Sequence, residues 1–202
     1  MEFPKAKPAN RPGGWEVEGV GYRRQAHLSL RAFKQKHTLL RRHIERLEEA
    51  RKKGGTYKIP PNLLDRYRFF RSAAVVFSAM AVEGFLNYYG VKRLGNDFYR
   101  DNYERLNAHQ KLSALVATCT GHLLPKHAEL VTILRRLTER RNALVHPKAR
   151  EVRPEAKGVQ PRRAPLHSAE APTSAADSVR DMERFFKLFA KLDPQAVSAI
   201  LW

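Results

Sequence analysis

The chain has 202 residues, with 38 Lys and Arg against 20 Asp and Glu, so its formal net charge is +18. This length suits a single domain with tails, and 43% hydrophobic residues are enough to form a core, which excludes a disordered basic tail. The single cysteine, Cys119, excludes a disulfide framework and a cysteine-rich zinc module. The positive surplus predicts a polyanionic partner, either a nucleic acid or an anionic membrane surface.

Several features argue against a membrane. Residues 1–14 are rich in proline and charge and contain no apolar signal core. The positive surplus is spread along the whole chain, whereas a membrane anchor concentrates its charge in one cluster. The most apolar window, residues 73–91, nears spanning length but contains Glu83, which is costly in lipid. We therefore expect no membrane contact and a cytoplasmic location.

The first half of the chain predicts a flexible basic arm, residues 1–19, followed by two long helices. Apolar residues recur at three- and four-residue intervals from about Gly21 to Lys53. Pro60 and Pro61 open the second helix, which Gly95 ends. From Ala73 onward its apolar residues cover nearly the whole circumference, which is typical of a central helix packed on several sides.

The second half predicts shorter helices. Asp97 to Leu106 forms one or two helical turns, and a capping box of Asn107 and Gln110 opens a helix that runs to Gly121. Pro125 is predicted to open the next helix, which runs to His146 and is stopped by Pro147.

The C-terminal part holds a flexible, proline-rich basic connection, residues 147–173, and then more helices. An amphipathic helix is predicted over Ser174 to Leu192, with Ser174 and Asp177 as cap candidates, and Asp193–Pro194 caps a last helix ending at Trp202. Because no segment shows sustained strand alternation, the fold class is all-α. We expect a helical bundle over residues 20–146, with two long antiparallel helices, and C-terminal helices, residues 174–202, that pack on it.

Most candidate sites have a simple structural explanation. The chain has no phosphate-binding loop, no dinucleotide-binding glycine motif and no zinc or serine-hydrolase signature. Three histidines are explained by loop positions: His109, His122 and His127. Three acidic residues are explained by a solvated helix face: Asp97, Asp101 and Glu104. Cys119 is explained by a position in the core. The sequence thus predicts no metal and no cofactor.

One constellation stands out at the end of the Pro125–His146 helix, in the stretch Arg-Asn-Ala-Leu-Val-His-Pro. Arg141 and His146 are separated by four residues, and Asn142 follows the arginine. A histidine in a last helical turn also suits the helix dipole, and a proline is a common stop. A purely structural role therefore stays open for this stretch.

This stretch closely resembles the R-x4-H signature of HEPN domains (higher eukaryotes and prokaryotes nucleotide-binding), in which a polar residue follows the arginine. The stretch AVEGFLNYYG, within Ala73 to Val91, is similar to the central helix of that family. The resemblance covers roughly residues 20–146 and implies a HEPN-like helical bundle.

The resemblance also implies a function. Many HEPN proteins are dimeric, metal-independent endoribonucleases of toxin–antitoxin, antiphage and RNA-processing systems. Arg141, His146 and Asn142 are then the catalytic residues, and RNA, a second copy of the chain and an antitoxin or regulatory protein are the partners. Histidine titrates in the range needed to exchange protons with ribose oxygens, and arginine offers fixed charge to a phosphorane. The expected products carry 2′,3′-cyclic phosphate and 5′-OH ends.

Helical geometry favours a shared site. Residues five apart differ by about 140° around an α-helix, so Arg141 and His146 do not share a face, whereas Asn142 and His146 differ by about 40°. Either Arg141 reaches around the helix or a second subunit completes the site. A homodimer, which the resemblance implies, would satisfy this geometry.

Further residues are assigned supporting roles. Glu83 is expected to approach Arg141, and a position facing solvent or paired with another arginine stays equally open. Asn87, one turn later, is a weaker candidate. Basic residues near the motif and on the first helix are expected to contact RNA; these are Arg140, Lys148, Arg41 and Arg42. Lys148 stands where HEPN toxins with a nucleotidyltransferase antitoxin carry a tyrosine, which puts such an antitoxin in doubt.

Two other functions stay open. One is a non-catalytic HEPN-like module that binds nucleic acid or protein and uses the motif helix structurally. The other is a helical assembly protein whose basic charge serves an acidic partner.

Overall fold

The computed structural model of the protein describes residues 18–145 and 170–196, and all regular structure in these ranges is helical. The helices are α1 Glu18–Lys52, α2 Pro61–Leu94, α3 Asn96–Asn102, α4 Ala108–Thr120, α5 Glu129–Val145 and α6 Glu170–Leu192, followed by a 3-10 turn at Pro194–Ala196. The all-α prediction is confirmed. His146, Lys148, most of the predicted arm and connection, and residues 197–202 lie outside the described residues.

Local signals set most of the helix ends. Pro61 is the first residue of α2, and Gly95 ends it at a φ of 85°, which few residues other than glycine adopt. Asn107 and Gln110 form the predicted capping box: the Gln110 amide donates to Asn107 Oδ1 over 3.0 Å, and the Asn107 amide donates to Gln110 Oε1 over 3.3 Å. These predicted boundaries are confirmed.

Two predicted helix starts are wrong. α5 begins at Glu129 rather than Pro125, because the Pro125 carbonyl accepts from the Ala128 amide in a turn and the first helical bond runs from Thr132 to Ala128. α6 begins at Glu170, before Ser174, so neither Ser174 nor Asp177 is a cap. Instead, the Ser174 carbonyl accepts from Ser178 Oγ within the helix, over 2.6 Å.

The second helix, α2, lies at the centre of the bundle and contacts α1, α3, α4, α5 and α6. The rings of Tyr22 and Phe77 are paired, as are those of Phe33 and Tyr67, so α1 runs antiparallel to α2 as predicted. By length and composition alone α2 could cross a membrane. Its apolar side chains instead form the core of the fold, with twelve residues of α2 buried.

The sixth helix, α6, contributes an aromatic layer to this core. Phe185 and Phe189 are fully buried and Phe186 nearly so, and the edges of all three rings face Phe85 of α2 at centroid distances of 5.0–6.4 Å. α6 is therefore an integral part of the bundle.

Polar contacts in the middle of α6 and just after its last residue fix its position. Arg23 of α1 donates twice to the Glu183 carboxylate, over 2.8 and 2.6 Å, and His27 contacts the same group. Just after the end of α6, the Tyr89 hydroxyl donates to Asp193 Oδ2 over 2.6 Å. Arg71 of α2 contacts Ser174, 103 residues later, and Tyr89 contacts Asp193, 104 residues later. Because both numbers rise together along the two helices, α2 and α6 run parallel.

Candidate active site

An ion pair between α2 and α5 forms the centre of the candidate site. Arg141 Nη1 donates to Glu83 Oε2 over 3.0 Å, which confirms the predicted approach of these two residues. Both side chains are partly exposed, Arg141 by 32% and Glu83 by 40%, so the pair lies at the surface of the bundle and is open to a ligand.

The Arg141 guanidinium is oriented from two directions. Its Nε donates to Asn142 Oδ1 over 3.2 Å, in addition to the contact with Glu83. In the contacts that the structure describes, Arg141 thus uses two of its five N–H donors. The remaining donors are available to an anionic ligand such as a phosphate.

The histidine of the motif follows Arg141 by five residues in the sequence. α5 is helical up to Val145, so it carries Arg141 and Asn142 to its last described turn. His146 and Lys148 lie outside the described residues, and their positions stay predictions. The helical form of α5 at Arg141 agrees with the geometry from which a shared site was inferred.

Asn87 lies on the same face of α2 as Glu83 but belongs to a different cluster. Its Oδ1 accepts from Lys111 Nζ over 2.6 Å and from the Tyr99 hydroxyl over 2.7 Å. The Lys111 ammonium also lies 5.7 Å from the centroid of the Tyr99 ring, a cation–π geometry. Asn87 therefore orients a buried lysine and has no direct contact with Arg141 in the described residues.

Lys111 is the residue of this region that sequence reasoning missed. Only 4% of it is exposed, and burial lowers the pKa of its ammonium group, although the nearby Glu83 and Glu104 carboxylates oppose this shift. The apolar face of α4 takes every fourth residue, which includes Lys111, Leu115 and Cys119. This spacing was the signal that could have identified Lys111 as a buried residue. Burial likewise raises the pKa of the neighbouring Tyr99 to about 12, so its hydroxyl keeps its proton.

Arg140 faces away from the ion pair. Its Nη1 donates to Asp181 Oδ2 over 2.8 Å, and Arg136 donates to both oxygens of the same carboxylate. Only 13% of the Asp181 side chain is exposed, so this cluster joins α5 to α6. Arg140 has a structural contact, and its predicted contact with RNA is not needed to explain its position.

Arg41 and Arg42 are exposed residues of α1, far from the Glu83–Arg141 pair. The contact between His43 and Tyr57 places this part of α1 beside the start of α2. Glu83 follows Pro61 by 22 residues, which corresponds to about 33 Å along the helix. One chain therefore does not bring these arginines to the Glu83–Arg141 pair.

The three other histidines singled out in the sequence do not form a site. His122 and His127 are exposed, whereas His109 lies in the first turn of α4 and not in a loop. Burial and the nearby Arg135 lower the pKa of His109, so its neutral form is favoured. Among the described residues, no three His, Cys, Asp or Glu side chains converge as a metal site would require.

Comparison of the chain with models of known protein families, with curated proteins and with solved structures finds no match.

Proposed function

We propose that the protein is a metal-independent endoribonuclease of the HEPN type that acts as a homodimer and leaves 2′,3′-cyclic phosphate and 5′-OH ends. The observation that carries this proposal is the Arg141 guanidinium, held by Glu83 near the end of α5 and flanked by Asn142, with His146 five residues after the arginine in the sequence. The proposed substrate is RNA, in the cytoplasm, with an antitoxin or regulatory protein as a further partner. The positive surplus of the chain suits a polyanion, and the resemblance of the motif implies that this polyanion is RNA.

In the proposed reaction, the ribose 2′-oxygen attacks the adjacent phosphorus and the bond to the 5′-oxygen breaks. The 2′-OH loses a proton as it attacks, and the 5′-oxygen gains one as it leaves. His146 carries out one of these two transfers, and water completes the other. The free N–H groups of Arg141 donate to the phosphorane oxygens, where negative charge accumulates. Glu83 is a positioning residue, because it contacts Arg141 and does not need to touch the RNA.

The end of α5 also supports a homodimer. Leu144 continues the apolar stripe of Leu130 and Leu137, both buried, yet 37% of Leu144 is exposed. Val145, which lies about 40° around the helix from Arg141, is 51% exposed. A second copy covering these side chains would bring two motif helices together.

A non-catalytic binding module is the second candidate. The observation that favours it is that the Glu83–Arg141 pair also ties α5 to α2, which is a structural role. In that case the arginine would serve the fold and the basic surface would hold nucleic acid or a protein.

Cleavage of labelled single-stranded RNA in EDTA tests the proposal. We expect the wild type to cleave, and Arg141→Ala and His146→Ala to lose about 10²- to 10⁴-fold in rate while still binding RNA. Glu83→Gln should lose less. Glu129→Gln, which breaks the exposed Glu129–Arg184 pair elsewhere, is the matched control and should cleave normally. RNA binding without cleavage of diverse RNAs by the wild type would favour the binding module.

The oligomeric state is tested by light scattering during the same assays. We expect a dimer at concentrations where the protein is active. A fully active monomer would contradict the shared site.

A further inference from the structure

Half of the positive surplus of the chain lies in one part of the fold. Residues 31–72, the second half of α1, the turn and the start of α2, contain 13 basic and four acidic residues. We call this segment the α1–α2 arm. Its surplus of nine in 42 residues equals half of the +18 of the whole chain.

Much of the arm extends past the other helices. Arg71 of α2 contacts Ser174 near the start of α6, and α6 runs parallel to α2 from there. The preceding turns of α2 pack on α1 through Tyr67, whose ring lies against Phe33 and His37. Within the α1–α2 arm, each of the two helices buries one side against the other, and in the described residues its opposite side is available to a ligand.

An exposed aromatic ring lies on this surface. Phe69 is 65% exposed, because it points about 200° around α2 from the buried Tyr67. It lines an open groove of about 600 Å³ between α1 and α2, together with Phe70, Lys36, Arg66 and Asp65. Single exposed hydrophobic side chains are common on protein surfaces, but this ring lines a groove and is flanked by cations.

We infer that this groove binds an unpaired base of single-stranded RNA, with the base stacked on Phe69 and the adjacent phosphates contacted by Lys36 and Arg66. Stacking on exposed aromatic rings beside basic residues is how proteins hold single strands without reading their sequence. A second copy is a poorer occupant, since two arms with the same large positive surplus repel each other.

The groove is also placed to serve the proposed active site. Phe69 and Glu83 are 14 residues apart on α2, which puts them about 21 Å apart along the helix and within about 40° of one face. A strand held at Phe69 can therefore run along this face toward Arg141. The inference rests on the proposed function only in taking RNA as the polyanion.

Binding of an uncleavable RNA tests the inference separately from cleavage. The probe is a fluorescent 2′-O-methyl RNA of about 12 nucleotides, within the site sizes of single-strand binders, measured with the full chain by anisotropy. We expect Phe69→Ala to weaken binding about tenfold and Phe69→Trp to restore it. Phe98→Ala removes another exposed ring, 50% exposed on α3, and should bind as the wild type does.

Two further measurements separate stacking from charge. The salt dependence of binding should stay unchanged in Phe69→Ala, whereas Arg66→Ala should lower its logarithmic slope by about 0.7. A fully paired duplex of the same sequence should be bound equally by the wild type and Phe69→Ala.

Three results would overturn the inference: wild-type affinity of Phe69→Ala for the single strand, an equal loss on the duplex, or a change in the molar mass of Phe69→Ala without RNA. The last would assign the groove to self-association. Because the probe lacks a free 2′-OH, a failure of the ribonuclease proposal leaves these outcomes unaffected.

Discussion

At the scale of single residues, Lys111 has the least common environment in the fold. Only 4% of the residue is exposed, and its ammonium group is hydrogen-bonded to Asn87 Oδ1, while the Glu83 and Glu104 carboxylates act only at a distance. A buried charge that lacks close ionic compensation costs free energy of folding. The charge also orders its neighbours, because Asn87 Oδ1 accepts from both Lys111 and Tyr99.

Lys111→Met should therefore stabilise the protein at pH 7 by about 1 kcal/mol, because it removes a buried charge and keeps the volume. The folded-state pKa of Lys111 is lowered, so the unfolded chain binds this proton more tightly and the stability of the wild type rises as pH increases toward 10.5. The advantage of the variant should accordingly shrink over this range. Urea unfolding at several pH values measures it.

Lys126→Met, at an exposed lysine, is the control and should change stability little at any pH. A pH-independent loss of stability in Lys111→Met would show that the ammonium group stabilises the fold.

At the scale of elements, the contact between α2 and α3 depends on a glycine. A Cβ atom added to Gly90 would collide with the Tyr99 ring and lie 3.1 Å from Leu115 Cδ2. The Tyr99 ring is held by its hydrogen bond to Asn87, so it has little freedom to move aside. Gly90 is thus required by close packing and not by a backbone angle.

Gly90→Ala should destabilise the protein by about 1–3 kcal/mol, because overpacking outweighs the gain in helix propensity. Gly21→Ala is the matched control: Gly21 lies in α1 with nothing within 4 Å of the added carbon, so this change should stabilise by about 0.5–1 kcal/mol. Denaturant midpoints by circular dichroism measure both. Equal effects of the two changes would contradict the packing argument.

Elements were predictable where the signal is local. The capping box at Asn107 and the glycines that end α2 and α4 act within a few residues of themselves, so the sequence alone predicted them. The start of α5 was misjudged, because Pro125 is equally compatible with a turn.

Contacts between distant residues were harder to predict. The Glu83–Arg141 pair was anticipated because a carboxylate in an apolar helix needs a partner. Lys111 with Asn87, and Arg140 with Asp181, were missed because each pairing depends on how helices are oriented in space.

At the scale of the whole molecule, positive charges greatly outnumber carboxylates. The carboxylates that bind arginine join different helices, so they contribute strongly to holding the bundle together. Burial alone would raise the pKa of Glu183, but the hydrogen bonds from Arg23 and His27 lower it overall. Its ionised form therefore joins α6 to the first turns of α1.

Glu183→Gln should lower the free energy of unfolding at pH 7 by about 1–3 kcal/mol, because Arg23 loses its anionic partner. Since the folded-state pKa of Glu183 lies below its ordinary value of 4.5, this contribution is present above pH 4.5 and is lost as pH falls through the lowered pKa. The stabilities of wild type and variant should converge there, as thermal unfolding between pH 7 and pH 3 would reveal. A constant difference across this range would refute the assignment.

The parallel arrangement of α2 and α6 has a consequence for synthesis on the ribosome. The buried ring of Phe85 packs against Phe185, Phe186 and Phe189, which follow about a hundred positions later in the chain. A nascent chain that has extruded α1 to α5 still exposes this ring, and such exposed surfaces attract chaperones and favour aggregation. Folding is therefore expected to finish after translation has passed α6, so the growing chain acquires its cooperative stability in one late step.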